Sequence, residues 1–311
     1  MYRLLMLFTF FLFNHVLSAQ NEEPVTLHTA TGDLYGSLIV PANRPRFDLV
    51  ILQAGSGPTD RRGNNPLGVN ADSYWMLAHE LAKNNIATLL IDKRGIAASK
   101  NAGKDESKLV FDDFIKDLED WAALLKKDKR VQKLVLAGHS EGSLIAMVAA
   151  QKVKVSKYIS IAGPAKSIDQ IINWQLEQQA PVLAPAADSL FKRLKKGEKI
   201  DSVPPLLSSL FRPSIQPYMV SWMKYSPCAE IKKIKVPVLI VQGSQDYQVQ
   251  QSEGEELYAC NPGAGFSIIP GMNHVLKKSP GNFAEDRATY TQPALPIVPQ
   301  LVADMVTFIK K

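Results

Sequence analysis

Apolar residues fall into two patterns along this chain, short unbroken runs and stripes at helical spacing, and the two alternate. Asp48-Leu49-Val50-Ile51-Leu52-Gln53, Ile86 to Ile91, Val131 to Ala137, Tyr158 to Ala162, Val236 to Gly243 and Ala264 to Pro270 are the unbroken runs. Runs of this kind belong to parallel strands covered on both faces. Between them, Tyr74, Leu77, Ala78 and Leu81 share one face of a helix over 74–84, which leaves His79 off the stripe as a surface residue. Phe111, Phe114, Ile115, Leu118, Trp121, Ala122 and Leu125 keep strict helical spacing, the signature of a core face and not of a cofactor box. Strands alternating with helices predict an α/β fold with a doubly wound, mostly parallel sheet. Ahead of it, Val25 to His28 and Leu34 to Val40 flank Thr31-Gly32-Asp33 and read as a hairpin, with His28 structural; Ile297 to Lys310 closes the chain as an amphipathic helix.

From Pro164 to about Glu230 the alternation stops. Helix-like pieces at 168–179 and 186–196 are separated by Pro181, Pro185, Pro204-Pro205, Pro213 and Pro217, and no period-2 strand occurs. This stretch, rich in Trp174, Leu206, Phe211, Tyr218, Met219 and Trp222, predicts a helical cap inserted into the sheet at about 164–230.

One strand-to-helix junction carries chemistry. Leu134 to Ala137 breaks into Gly138-His139-Ser140-Glu141-Gly142 and resumes as the helix-forming Ala146 to Ala150. Glycine on both sides of the serine suits a turn in which backbone segments come very close and the serine is strained, the nucleophile elbow. A serine hydroxyl is a poor nucleophile at neutral pH, so a base and a third group orienting that base are required. Where a nucleophile elbow ends a strand of such a sheet, the chain order is serine, acid, histidine, with the acid after a later strand and the histidine after the last one. Asp246 comes three residues after Gly243, and His274 lies in the loop after Phe266 to Ile269. Other histidines fit less well: His139 is on the elbow itself and points elsewhere, and His28 and His79 precede it. Asp246 also suits a plain Asx turn, and Glu253, Glu255 and Glu256 fall on a solvated helix. The glycine-rich loop from Ala54 to Asn64 follows a strand but lacks a Gly-Lys-Ser/Thr ending, so it reads as a donor of backbone N–H to an oxyanion and not as a phosphate cradle.

Composition narrows the setting. With 311 residues and 46% hydrophobic content there is enough chain for a sizeable core. The net charge of +6 is concentrated in runs such as Lys192 to Lys196 and Lys232 to Lys235, which lack the aromatic interleaving of a nucleic-acid surface and read as solvated faces. Arg3, the apolar block Leu4 to Phe13 and the small pair Ser18-Ala19 have the order of a secretory signal. The block is short of the about 20 residues that cross a bilayer, so residues 1–19 are expected to be a signal peptide and 20–311 an exported chain, periplasmic or secreted, with no membrane attachment after cleavage. Cleavage after Ser18 or Ala19 is compatible with the sequence. Cys228 and Cys260 fit either a disulfide or two free thiols, and no His-rich neighbourhood suggests zinc.

Gly55-Ser56-Gly57-Pro58-Thr59-Asp60-Arg61, Asp92-Lys93-Arg94-Gly95, Gly138-His139-Ser140-Glu141-Gly142, Gly243-Ser244-Gln245-Asp246 and Gly271-Met272-Asn273-His274 together resemble the α/β-hydrolase superfamily. The likeness is to exported, esterase-like members of the serine aminopeptidase S33 type, and it spans nearly all of 20–311. It implies Ser140 as nucleophile, His274 as general base and then acid, Asp246 as its orienter, and the backbone N–H groups of Ser56 and Glu141 as oxyanion hole, with no metal or organic cofactor. Ile96-Ala97-Ala98-Ser99 departs from the family's usual Gly-x-Ser continuation, so the pocket there is expected to differ. The expected activity is hydrolysis of small-molecule carboxylic esters. An aminopeptidase or amidase is the alternative, for which Glu177, Asp188, Glu198 or Asp201 of the cap offer acids for a substrate amine. A non-catalytic binding module on the same fold is the remaining possibility.

Overall fold

The computed structural model describes residues 21–42, 44–103 and 105–311; the expected signal peptide lies outside the described residues. The chain opens with the hairpin β1 (Asn21–Thr29) and β2 (Gly32–Val40), longer than the sequence pattern suggested because pairing runs from Asn21 opposite Val40 to the turn. It continues as β3 (Phe47–Gln53), α1 (Ser73–Lys83), β4 (Ile86–Ile91), α2 (Phe111–Leu125), β5 (Val131–His139), α3 (Glu141–Lys152) and β6 (Lys157–Ile161). Five α-helices follow without an intervening strand: α4 (Ile168–Gln179), α5 (Ala184–Lys195), α6 (Ser208–Phe211), α7 (Gln216–Trp222) and α8 (Pro227–Ile231). The chain then returns to the sheet with β7 (Val238–Gly243), α9 (Gln251–Cys260) and β8 (Gly265–Ile269), and ends in α10 (Phe283–Thr289) and α11 (Pro299–Lys310).

The eight strands form one sheet in the order β1-β2-β4-β3-β5-β6-β7-β8. β1, β2 and β4 pair antiparallel, and every pairing from β4 through β8 is parallel. Successive side chains of a strand face opposite sides, and β3 divides accordingly. Leu49 and Ile51 join the core under α2, α3 and the inserted helices, whereas Val50 and Leu52 join the core under α1 and α11. With apolar residues needed on both faces, the strand reads as an unbroken run. The whole apolar stripe of α2, from Phe111 to Leu125, is buried.

The inserted helices pack against that first core. Phe111 at the start of α2 stacks on Trp222 with ring centroids 5.4 Å apart, and its N–H donates to Ser221 Oγ at 2.8 Å. Phe211, Tyr218 and Met219 are also buried, whereas Leu206 is 76% exposed. Cys228 of α8 is bonded to Cys260 of α9 as a disulfide, Cα atoms 5.4 Å apart, which resolves the alternative left open by spacing.

Two readings of single residues are corrected. Glu253 is not on a solvated face of α9: it is buried, accepts the backbone N–H groups of Ala165 (3.0 Å) and Lys166 (3.1 Å) and pairs with the Lys166 ammonium. These bonds satisfy the turn between β6 and α4, a long-range need that helical spacing does not register. His79 is half-buried, its ring centroid 3.8 Å from that of Trp75 and its Nδ1–H donating to the Trp75 carbonyl at 2.8 Å. A histidine four positions along a helix from a tryptophan can cover it while lying off the apolar stripe.

Candidate active site

Parallel strands bring their C-terminal ends to one edge of the sheet, and the loops that follow β3, β5, β7 and β8 carry the candidate residues. At the end of β5, Ser140 has φ 55° and ψ −123°, a conformation L-residues rarely adopt. It persists because the flanks permit it: a Cβ on Gly138 would run into the Gly142 carbonyl, and one on Gly142 into the carbonyls of Gln53 and Ala54. The Ser140 N–H donates to the Ile161 carbonyl at 2.9 Å, fixing the turn to the neighbouring strand. The serine is thus held at a sharp corner between β5 and α3, with Glu141 as the first residue of the helix.

After β3 the chain passes directly beside that corner. A Cβ on Gly55 would lie 3.2 Å from Ser140 Cβ, so the Gly55–Ser56 peptide rests against the candidate nucleophile. Among the described residues the Ser56 N–H meets no acceptor. The Glu141 N–H belongs to the first turn of α3, where the helix itself supplies no acceptor.

After β7 and β8, Asp246 and His274 meet. His274 Nδ1 lies 2.8 Å from Asp246 Oδ2, and Asp246 Oδ1 accepts the N–H groups of Gln248 (2.8 Å) and Val249 (2.9 Å). Asp246 therefore forms the Asx turn and also faces the imidazole, one oxygen for each. Both side chains are buried. The His274 loop is pinned on three sides: Ser73 Oγ donates to the Val275 carbonyl at 2.5 Å, Asn273 Nδ2 donates to Asp286 Oδ1 and Thr289 Oγ1 of α10 at 2.8 Å each, and the Lys277 N–H returns to Asn273 Oδ1 at 2.9 Å. Since the Asp246 carboxylate can only accept while ionised, Nδ1 carries the proton and Nε2 is left with its lone pair. Among the described residues no hydrogen bond joins Ser140 Oγ to His274; such bonds in unliganded sites commonly tighten only when substrate is present.

His139, the middle residue between Gly138 and Ser140, is part of the same architecture. Its Nε2 lies 2.8 Å from the His274 carbonyl, its Nδ1 2.8 Å from the Tyr74 hydroxyl, and the Gly55 N–H donates to Tyr74 Oη at 3.3 Å. A carbonyl only accepts, so Nε2 carries the proton, Nδ1 accepts from Tyr74, and Tyr74 oxygen accepts from Gly55. One neutral tautomer completes a chain from the β3 loop to the backbone of His274. Burial and the neighbouring His274 hold the His139 pKa well below the ordinary histidine range. No local pattern advertised this role, since Tyr74 is 65 and His274 135 positions away.

Lys93 and Tyr218 are two further buried groups at this edge. The Lys93 ammonium donates to the Gly55 carbonyl and lies 3.4 Å from Glu141 Oε2, while the Tyr218 hydroxyl of α7 donates to Glu141 Oε1. The cap acids are differently placed: Asp188 is half-buried and paired with Lys192, Glu198 and Asp201 are exposed and paired with Arg193 and Lys199, and Glu177 is exposed. Among the described residues no group of three or more His, Cys, Asp or Glu side chains stands close enough to hold a metal ion.

Residues 67–279 match the model of the family described as serine aminopeptidase, S33. Esterase EstD of Thermotoga maritima is 26% identical over 253 residues, 80% of this chain and 59% of that protein, so the chain spans about three fifths of that relative's length. Among solved structures, the Pyrococcus furiosus esterase Pf2001 superposes with a TM-score of 0.62 at 18% identity, covering 94% of this chain and 91% of that one. Est1E from Butyrivibrio proteoclasticus gives 0.59 at 17%, covering 93% and 99%. At these identities the structural likeness is one of fold, and the fold is that of the α/β hydrolases.

Proposed function

We propose, for a chain that belongs to the serine aminopeptidase S33 family of α/β hydrolases, that it is a serine hydrolase cleaving small-molecule carboxylic esters through an acyl-enzyme. The observation that carries the reading is the junction itself: a strained Ser140 with the Gly55–Ser56 peptide against it, on the sheet edge where His274 is held by Asp246. Ser140 Oγ attacks the ester carbonyl while His274 Nε2 takes its proton. The Ser56 and Glu141 N–H groups receive the oxyanion of the tetrahedral intermediate, the role that prepositioned backbone donors serve. Collapse expels the alcohol, which leaves with the proton from His274, and Ser140 remains acylated. Water then attacks the acyl group, giving its proton to His274, and the acid departs as Ser140 is restored. Asp246 fixes the tautomer and ring plane throughout.

Ester cleavage is favoured over removal of an N-terminal amino acid because an aminopeptidase needs an acid aimed at the substrate amine, whereas Asp188, Glu198 and Asp201 are each paired with a cation and Glu177 is exposed. Kinetics on p-nitrophenyl esters of rising acyl length, run beside aminoacyl anilides, test this. Turnover of esters abolished by Ser140→Ala is expected; anilides cleaved faster than every ester would transfer the assignment to the peptidase reading.

Export belongs to the same proposal. It rests on the signal-like order of residues 3–19 and on the Cys228–Cys260 disulfide, a bond that persists in oxidising compartments.

A further inference from the structure

Lys93 is a buried cation that the ester-cleaving cycle leaves unused. It follows β4 and Asp92, its side chain is 3% exposed, and its ammonium lies 5.6 Å from the Phe114 ring centroid. Burial lowers its pKa, opposed by Glu141. Taking an ammonium out of water is costly unless it is paired and hydrogen-bonded. Glu141 supplies the charge at 3.4 Å, but the closer partner is neutral, the carbonyl oxygen of Gly55.

That carbonyl shares a peptide plane with the Ser56 N–H. In a trans peptide the C=O and the following N–H point in opposite directions, so a cation fixed on the Gly55 oxygen also fixes where the Ser56 N–H aims. Gly55 abuts Ser140, and its own N–H is held separately by Tyr74. With glycine on both sides of Ser56, little in the local backbone otherwise opposes rotation of this peptide. The Glu141 carboxylate, braced by the Tyr218 hydroxyl, keeps the ammonium in place from the far side. We propose that Lys93 is the positioning residue of the oxyanion hole: its ammonium, anchored by Glu141 and through it by Tyr218 of the cap, locks the Gly55–Ser56 peptide so that the Ser56 N–H faces the developing oxyanion. The assignment rests on the esterase reading above, and Lys93 itself touches no substrate.

A locked donor matters in the transition state and little in the ground state. The test measures kcat and KM for p-nitrophenyl acetate, and the inhibition constant of an aryl trifluoromethyl ketone, whose serine adduct bears an oxyanion. It compares wild type, Lys93→Met and the double variant Lys93→Met/Glu141→Gln. The double variant leaves no unpaired buried charge and keeps an acceptor for Tyr218, so it carries the test where the single variant does not fold; circular dichroism and melting curves identify the folded proteins. The expected result is a kcat lower by about 10²- to 10³-fold, the cost of losing one oxyanion donor. The ketone should weaken by a similar factor while KM stays within about threefold. Folded variants with kcat and ketone affinity within about threefold of wild type, or with the loss confined to KM, would overturn it. If wild type hydrolyses no ester and takes no fluorophosphonate label, the esterase reading itself fails and this assignment with it, whatever the variants do.

Discussion

His139 ties a titration to stability. Its Nε2–H donates to the His274 carbonyl and its Nδ1 accepts from Tyr74, so the folded protein resists protonating it, as the lowering by burial and by His274 indicates. Unfolded, the same side chain takes a proton near the ordinary value of about 6.5. Below that pH the unfolded state binds a proton the folded state refuses, so this contribution to stability is complete above about 6.5 and declines as the pH falls. Melting temperature should drop between pH 7 and 5, and less steeply in His139→Gln; equal slopes for the two proteins would dismiss the effect. Ser56 separates side chain from backbone. Ser56→Ala keeps the N–H and should stay within a few-fold of wild type, whereas Ser56→Pro removes it and should lose about 10²- to 10³-fold in kcat once shown to be folded. The placement of Ser140, Asp246 and His274 at one edge of the sheet was legible in sequence because each follows a strand, in a chain order that the fold sets and the chemistry does not. His139 and Lys93 stood in quoted motifs without a role, because what they do depends on Tyr74, Gly55, Glu141 and the His274 backbone, partners set by the fold and not by spacing.

At the level of elements, the unbroken apolar runs identified the parallel strands because both faces of the sheet are covered, and the stripe from Phe111 to Leu125 identified α2 because one face is. Boundaries were less legible: β1 begins at Asn21, where Glu22 and Glu23 are held in the strand by pairing with Ile39 and Leu38 and not by an apolar pattern of their own. Glu253 looked solvated for a similar reason, since the N–H groups it satisfies come from β6–α4. The cysteines required the fold as well, which sets α8 beside α9 and brings Cys228 and Cys260 to a bonding distance. Their link closes a loop with a sequence separation of 32 residues. Replacing both by serine should lower unfolding free energy by about 2–4 kcal/mol, read as the denaturant midpoint. An unchanged midpoint would mean that the disulfide does not form in the isolated protein. Activity should survive, since neither cysteine approaches Ser140, Asp246 or His274 through any bond of the site.

For the whole molecule, the inserted helices and the sheet edge form one working unit: α7 stacks on α2 through Trp222 and reaches Glu141 beside Ser140 through Tyr218. That helices and no strand lie between β6 and β7 was legible from the prolines and the lost strand pattern; which of their residues face inward was not, because Tyr218, Trp222 and Leu206 look alike in composition and only packing separates them. Export adds a prediction at this scale. The mature protein recovered outside the cytosol should begin at Ala19 or Gln20 by N-terminal sequencing, and an intact Met1 terminus in the membrane fraction would oppose it. The central claim is that Ser140, activated by His274, is the nucleophile. Intact-protein mass spectrometry with a fluorophosphonate probe, followed by peptide mapping, tests it most directly. The account predicts one adduct per chain, on the peptide containing Ser140, absent from Ser140→Ala and formed far more slowly in His274→Ala; no adduct on wild type, or one that persists undiminished in Ser140→Ala, would contradict it.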